Sequence, residues 1–336
     1  MQITGLSLAL ETAVHSYGED AGALSEAARH HLTTPGKRTR SQLLFATSPS
    51  PKHQALLVHA AAAVELIHEA SIVHDDIQDR TSLRRGNPSV WQKFGANTAL
   101  LLGDHFVSAA FRAIAEVEVE VEPAAQAQLF ILLSQAISRA ASGQHLQLSS
   151  KTENTNLAAI YNEVAISKTG AFIALPLQFS SLLGHVQIQD PEPARRCGEQ
   201  LGLAYQILDD LKPFAYPASL ARHEDISNRV ITAPVAAMNL LSANEDPFNA
   251  LIQHPKKRDM AINLCRSWQA EAIQSAIEYA DELPPHSRKV VKNFIYDRLS
   301  SDMPLLGAKN SQEHTQKSLS SYQPRQKFGN TSTEAL

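Results

Sequence analysis

Residues 74–79 read HDDIQD, which puts Asp75, Asp76 and Asp79 within five residues at the end of an otherwise apolar stretch, LIHEASIV. Carboxylates repel one another and are costly to bury. On a helix, Asp75 and Asp79 are four apart and share a face, with Asp76 beside it. Oxygens on neighbouring turns suit a hard divalent cation. A solvated helix end is the rival reading: with 34 acids among 336 residues, such a pattern arises by chance about once in three chains of this length.

A second acidic pair changes the odds. Asp209 and Asp210 end another apolar segment, LGLAYQILDDLKP, and Pro213 disfavours helical geometry at Lys212, so that helix stops near Leu211. A helix C-terminus carries partial negative charge and disfavours carboxylates. Two such ends facing one another call for bridging cations, and magnesium uses few carboxylates plus substrate phosphates. The pattern fits a clamp for Mg²⁺ and a diphosphate. Basic residues that could meet phosphate oxygens come in short groups: Lys37, Arg38 and Arg40 in PGKRTR, Arg84 and Arg85 in SLRRG, and Lys168 beside Thr169 in SKTG. Each group alone reads as a solvated loop. Together, in a chain with only 19% charged residues, they read as a site.

The elements that must carry these residues are helical. Hydrophobic residues make up 43% of the chain and aromatics 6%, with alanine and leucine abundant, a composition that favours helix. Periodicity and breakers predict helices near 5–32, 53–79, 89–117, 124–149, 155–186, 191–211, 229–242, 257–281 and 286–300. No alternating strand pattern of useful length occurs. Residues 1–303 read as one all-helical domain and 304–336 as a polar tail that does not pack. Net charge is −4, which gives no basic signature for nucleic acid. Cys197 and Cys265 have no metal-ligand spacing and suggest a reducing, cytoplasmic compartment. The first twenty residues lack the pattern of a signal peptide. The apolar stretches 55–67 and 171–183 read as buried helices rather than membrane spans, the first because of His59 and Glu65, the second because of Pro176 and Gln178.

These motifs resemble those of the trans-isoprenyl diphosphate synthases, the polyprenyl synthetase family. The segment around HDDIQD is similar to that family's first aspartate-rich region, PGKRTR to its GKRxR, SGQHLQL to its GQxxDL, SKTGAF to its KTG and AYQILDD to its FQxxDD segment. NRVITAPV is similar to GKxTLPV, with Arg229 in place of lysine. The resemblance implies an all-α, single-domain antiparallel helical bundle around a deep central cavity, the isoprenoid synthase type I fold, as a homodimer or a heteromer. It implies Mg²⁺-dependent head-to-tail condensation of isopentenyl diphosphate with an allylic prenyl diphosphate, through ionisation to an allylic carbocation, attack by the isopentenyl double bond and loss of a proton.

Carried over residue by residue, the resemblance makes Asp75, Asp79 and Asp209 metal ligands, with Asp76 supporting them. Lys37, Arg40, His68 and Arg85 would hold isopentenyl diphosphate. Arg84, Lys168 and Arg229 would hold the allylic diphosphate, and Thr169 and Gln206 would lie near the reacting carbons. His68 is two turns before Asp75 and faces the same way; His74 and His145 read as structural.

Beyond Arg229, the chain departs from the pattern in two further places. Gln147 stands where an acid is usual, and Pro213 replaces the third acid of the second region, with Lys212 adding a positive charge. The loss of that third acid opens two alternatives: a non-catalytic or regulatory subunit of a synthase, and a prenyl diphosphate cyclase. The growing tail is expected to run past Ser71, Ala70 and Ile67, with Phe172 or Phe179 opposite, and small Ala70 and Ser71 imply a product of geranylgeranyl length or longer.

Overall fold

The computed structural model describes residues 3–49, 51, 54–116, 123–150, 156–184, 189–215, 220, 223–242 and 245–299. The tail 304–336 and residues 300–303 lie outside the described residues. The fold is a helical bundle, as expected from composition.

Its first half comprises α1 (Ile3–Glu19), α2 (Ser25–Leu32), α3 (Thr39–Thr47), α4 (Gln54–Gln78), α5 (Val90–Phe94), α6 (Ala96–Ala115) and α7 (Pro123–Ser149). The second comprises α8 (Leu157–Ala165), α9 (Ala171–Leu183), α10 (Glu192–Leu211), α11 (Glu224–Ser227), α12 (Ala233–Leu241), α13 (Pro247–Gln253), α14 (Pro255–Ala280) and α15 (Pro285–Leu299).

Two expected helices are broken where glycine adopts a left-handed backbone. The segment 5–32 turns at Gly22, φ +54°, and the Ser25 hydroxyl donates to the Glu19 carbonyl at 2.8 Å as α2 begins. The segment 89–117 breaks at Gly95, φ +90°, between α5 and α6. Four elements had no prior sign in the periodicity, the four-residue α11 among them. Helices α3 and α13 are too short to establish one, and α3 starts from a left-handed Arg38, φ +51°. A two-residue antiparallel pair, Leu83–Arg84 with Asn87–Pro88, closes the loop that carries Arg84 and Arg85.

Helix α9 is buried on every side, with all of its residues inside, as an all-round apolar helix requires. Phe172, Leu175 and Phe179 face the core built from α1–α7, while Ile173 and Leu177 face the core built from α8–α15. Just before α9, Ile166–Gly170 widens into a π-turn, a feature that often marks functional positions. Helix α10 approaches this turn closely. A Cβ on Gly198 would stand 2.2 Å from the Ala174 Cα, and one on Gly202 would stand 2.3 Å from the Gly170 Cα.

Helices α4 and α6 are each long and apolar enough to cross a membrane by length and composition alone. The most apolar window of α4 is 78% buried inside the bundle, and the helix also carries Glu65, Glu69, Asp75 and Asp76, which suits a core helix.

Candidate active site

The last turn of α4 brings the first acidic group together, and each member has a different environment. Asp75 Oδ2 lies 3.3 Å from Lys168 Nζ, which reaches it from the π-turn. Burial raises the Asp75 pKa above the ordinary carboxylate value, and Lys168 opposes that rise. Asp79 is raised as well, by burial and then by repulsion from Asp75, with Asp225 adding to it. Asp76 is 1% exposed and accepts from Arg84 Nε at 2.9 Å on Oδ1, while its Oδ2 is buried without a hydrogen-bond partner. Asp76 therefore anchors Arg84.

Two cavities flank this turn, and Lys168 borders both. One, of about 300 Å³, is lined by Ile67, Ala70, Ser71 and Asp75 from α4, Val107 from α6, Ile137 and Ala140 from α7, and Phe172. Ile67, Ala70 and Ser71 thus line the cavity as their helical spacing predicts, with Phe172 opposite. Phe179 is not among the lining residues; it is fully buried in the core. His74 and His145 also border the cavity, and His74 Nε2 contacts the Leu100 carbonyl at 3.2 Å. The second cavity, of about 170 Å³, is polar and includes Asp79, Gln147, Lys168, Thr169, Gln206, Asp210 and Asp225.

The end of α10 treats its two acids unequally. Asp210 is buried: its Oδ1 accepts from Gln206 Nε2 at 2.8 Å and its Oδ2 from the Ala233 amide at 2.9 Å. Burial pushes its pKa up to about 7 against those hydrogen bonds. The Thr169 hydroxyl donates to Gln206 Oε1 at 2.7 Å, so Thr169, Gln206 and Asp210 form one chain across the α9–α10 approach. Asp209 points outward and pairs with Lys212 Nζ.

Among the described residues, no three His, Cys, Asp or Glu side chains converge closely enough to hold a metal ion by themselves, so Asp75, Asp79 and Asp209 do not form one closed cage. The α4 group nevertheless fits a divalent cation shared with a ligand's oxygens. Asp75 and Asp79 are carboxylates with too little neighbouring positive charge to offset their burial, and Asp76 Oδ2 is buried with no partner. Magnesium typically takes one or two carboxylates and completes its shell with phosphate oxygens and water.

A basic group sits further back along α4, organised by glutamates that spacing did not single out as site residues. Glu69 accepts from His31 Nε2 at 2.8 Å, from Arg38 Nη1 at 2.9 Å and from Arg85 at 3.3–3.4 Å. Burial alone would raise its pKa, but His31 and the cations around it hold it far below the ordinary value. Arg38, grouped by sequence with the phosphate-binding bases, is 7% exposed and committed to Glu11 and Glu69, with Glu65 at 3.5 Å. Arg85 also donates to the Thr34 carbonyl at 2.8 Å. Arg40 Nε and His68 Nδ1 are buried polar atoms without a partner. Burial, reinforced by Arg40, drives the His68 pKa well below its ordinary value, which leaves the ring neutral. Lys37 is exposed on the adjoining loop.

Arg229 stands apart. Its Nη2 donates to Asp246 Oδ1 at 2.6 Å, its guanidinium lies over the Phe248 ring at 4.4 Å, and it lines neither cavity. Asp225 enters the polar cavity instead, from the four-residue helix α11, whose sequence carried no motif.

A family model described as polyprenyl synthetase matches residues 22–266. A prenyl transferase of Cyanophora paradoxa is 28% identical over 300 residues, covering 82% of this chain and 90% of that protein. A geranylgeranyl diphosphate synthase of Methanosarcina mazei is 31% identical over 195 residues, covering 58% of this chain and 60% of that protein. A crystal structure of geranylgeranyl pyrophosphate synthetase from Pyrococcus horikoshii Ot3 superposes with a TM-score of 0.72 at 27% identity, covering 87% of this chain and 96% of that one.

Proposed function

The chain is a prenyltransferase of the polyprenyl synthetase family, and from that premise we propose that it condenses isopentenyl diphosphate head-to-tail with an allylic diphosphate to make a trans-prenyl diphosphate. The observation that carries this reading is the junction at Lys168. An apolar cavity on one side and a polar one on the other share this lysine, and Asp75 and Asp79 stand beside it.

On this reading Arg40, His68, Arg85 and Lys37 bind the diphosphate of isopentenyl diphosphate; the unpartnered Arg40 Nε and His68 Nδ1 support the assignment. Lys168 and Arg84 meet the allylic diphosphate, and Asp76 holds Arg84 in place. Arg229, tied to Asp246, would have to leave that partner to join them. Asp75 and Asp79 would hold Mg²⁺, with Asp209 completing the clamp across the diphosphate. Magnesium bound there supplies positive charge that stabilises the departing diphosphate. The apolar walls keep water from the allylic cation while the isopentenyl double bond attacks and a proton is lost. Thr169 and Gln206 lie beside the reacting carbons. Small Ala70 and Ser71 on the cavity wall support a product of geranylgeranyl length or longer.

Residues 1–303 form the working unit, in a cytoplasmic compartment in keeping with two buried free cysteines. Exposed Leu100 and Leu101 on α6, with Ile131 and Leu148 on α7, support a homodimer. Incubating the purified protein with Mg²⁺, isopentenyl diphosphate and each allylic primer, then identifying products by mass spectrometry, tests the activity. The pairing of Asp209 with Lys212 favours one second reading, a non-catalytic subunit. That reading expects no product until another chain is added.

A further inference from the structure

The outward acid at the end of α10 already has a cation. Asp210 is turned inward to Gln206 and the Ala233 amide, leaving Asp209 as the outward carboxylate of the pair, and Lys212 Nζ sits on Asp209 Oδ1. Lys212 is the C-cap of α10, a position at which a positive side chain is favoured by the partial negative charge of the helix end. Residues 211–215 read LKPFA, so no further acid follows to recruit a second charge. The α4 end has a parallel arrangement, with Lys168 on Asp75 and on neutral Gln147 at 3.4 Å, but there Asp79 remains beside the pair and Asp76 Oδ2 is unpartnered.

We propose that Lys212 takes the place of a divalent cation at the α10 end of the site: its ammonium neutralises Asp209 and presents positive charge to the departing diphosphate, so the divalent ions gather at Asp75 and Asp79. This rests on the reading of the site as a metal–diphosphate clamp. The Lys212 side chain is 63% exposed and Asp209 40%. The pair contributes little to stability, and the ammonium can swing from carboxylate to diphosphate. A divalent ion on the other oxygen of Asp209 would stand about 5 Å from the ammonium already seated on that carboxylate, a repulsion that weakens its binding roughly tenfold at aqueous dielectric.

The test counts Mn²⁺ bound to the full-length protein by electron paramagnetic resonance, with inorganic pyrophosphate as the anion. The variants are Lys212→Gln and Lys212→Arg, and circular dichroism verifies that both fold. Lys212→Gln is expected to bind one more Mn²⁺ per chain than the wild type, or its weakest ion about tenfold more tightly, while Lys212→Arg behaves as wild type. Equal stoichiometry and affinity in wild type and Lys212→Gln overturns the inference and leaves the clamp standing. Absence of pyrophosphate-dependent Mn²⁺ binding in both proteins overturns the clamp itself and the inference with it.

Discussion

Gly202 of α10 lies so close to Gly170 that a Cβ on Gly202 would stand 2.3 Å from the Gly170 Cα. No side chain fits between these two backbones, and the π-turn with Lys168 and Thr169 is held against α10 by that absence. Gly202→Ala should therefore push the two elements apart and destabilise the protein by about 1–3 kcal/mol. Thermal unfolding followed by circular dichroism measures the loss; an unchanged midpoint would mean the approach is not tight in solution.

Asp75 lies beside Lys168 on the wall of the apolar cavity. Asp75→Ala should lower product formation about 100-fold or more while leaving the helical signal intact. Undiminished turnover by this variant would remove Asp75 from the metal-binding role.

Arg40 is expected to act on one substrate and not the other. Arg40→Gln should reduce kcat/KM for isopentenyl diphosphate by about 30- to 100-fold, the loss typical of a hydrogen bond to a charged group, and leave the KM for the allylic primer unaltered. A rise in the allylic KM alone would assign Arg40 to the other diphosphate.

Ala70 faces the cavity with Phe172 opposite. Ala70→Phe should shorten the product, read by mass spectrometry. Products of unaltered length would show that the tail runs elsewhere.

Glu69 gathers His31, Arg38 and Arg85 in a buried setting. Replacing it with Gln leaves that positive charge without its counter-ion and should cost about 3–5 kcal/mol. The pH dependence has a definite sign. The Glu69 pKa in the folded protein lies below the ordinary value of 4.5, so its carboxylate contributes stability above that value and loses it as pH falls further. Between about pH 5 and about pH 3, the wild-type melting temperature should drop more than that of Glu69→Gln. Parallel curves would rule out Glu69 as the acid-sensitive group.

Much of the site was legible because its signals are local. Asp75 and Asp79 are one turn apart, Ala70 and Ser71 precede them on the same helix, and alanine-rich periodicity marks α4 from end to end. What escaped is what only the tertiary fold creates. Glu69 meets His31 across 38 residues and Arg38 across 31, so nothing near Arg38 in sequence distinguishes a buried structural arginine from a phosphate ligand. Asp246, the partner of Arg229, lies 17 residues away at the N-cap of a short helix that no periodicity announces. Asp225 reaches the polar cavity from α11, a helix of four residues, too short to leave a periodic pattern.

Helix α9 belongs to both cores, with Phe172, Leu175 and Phe179 on one side and Ile173 and Leu177 on the other. Neither half owns a complete interior. A fragment ending before residue 171 would expose the surfaces that α9 covers, and one beginning there would bring an apolar helix with half its partners missing. Unfolding of the intact chain should therefore be a single cooperative event, with the two halves melting at one temperature. A gene cut at this point would give two insoluble pieces rather than two domains.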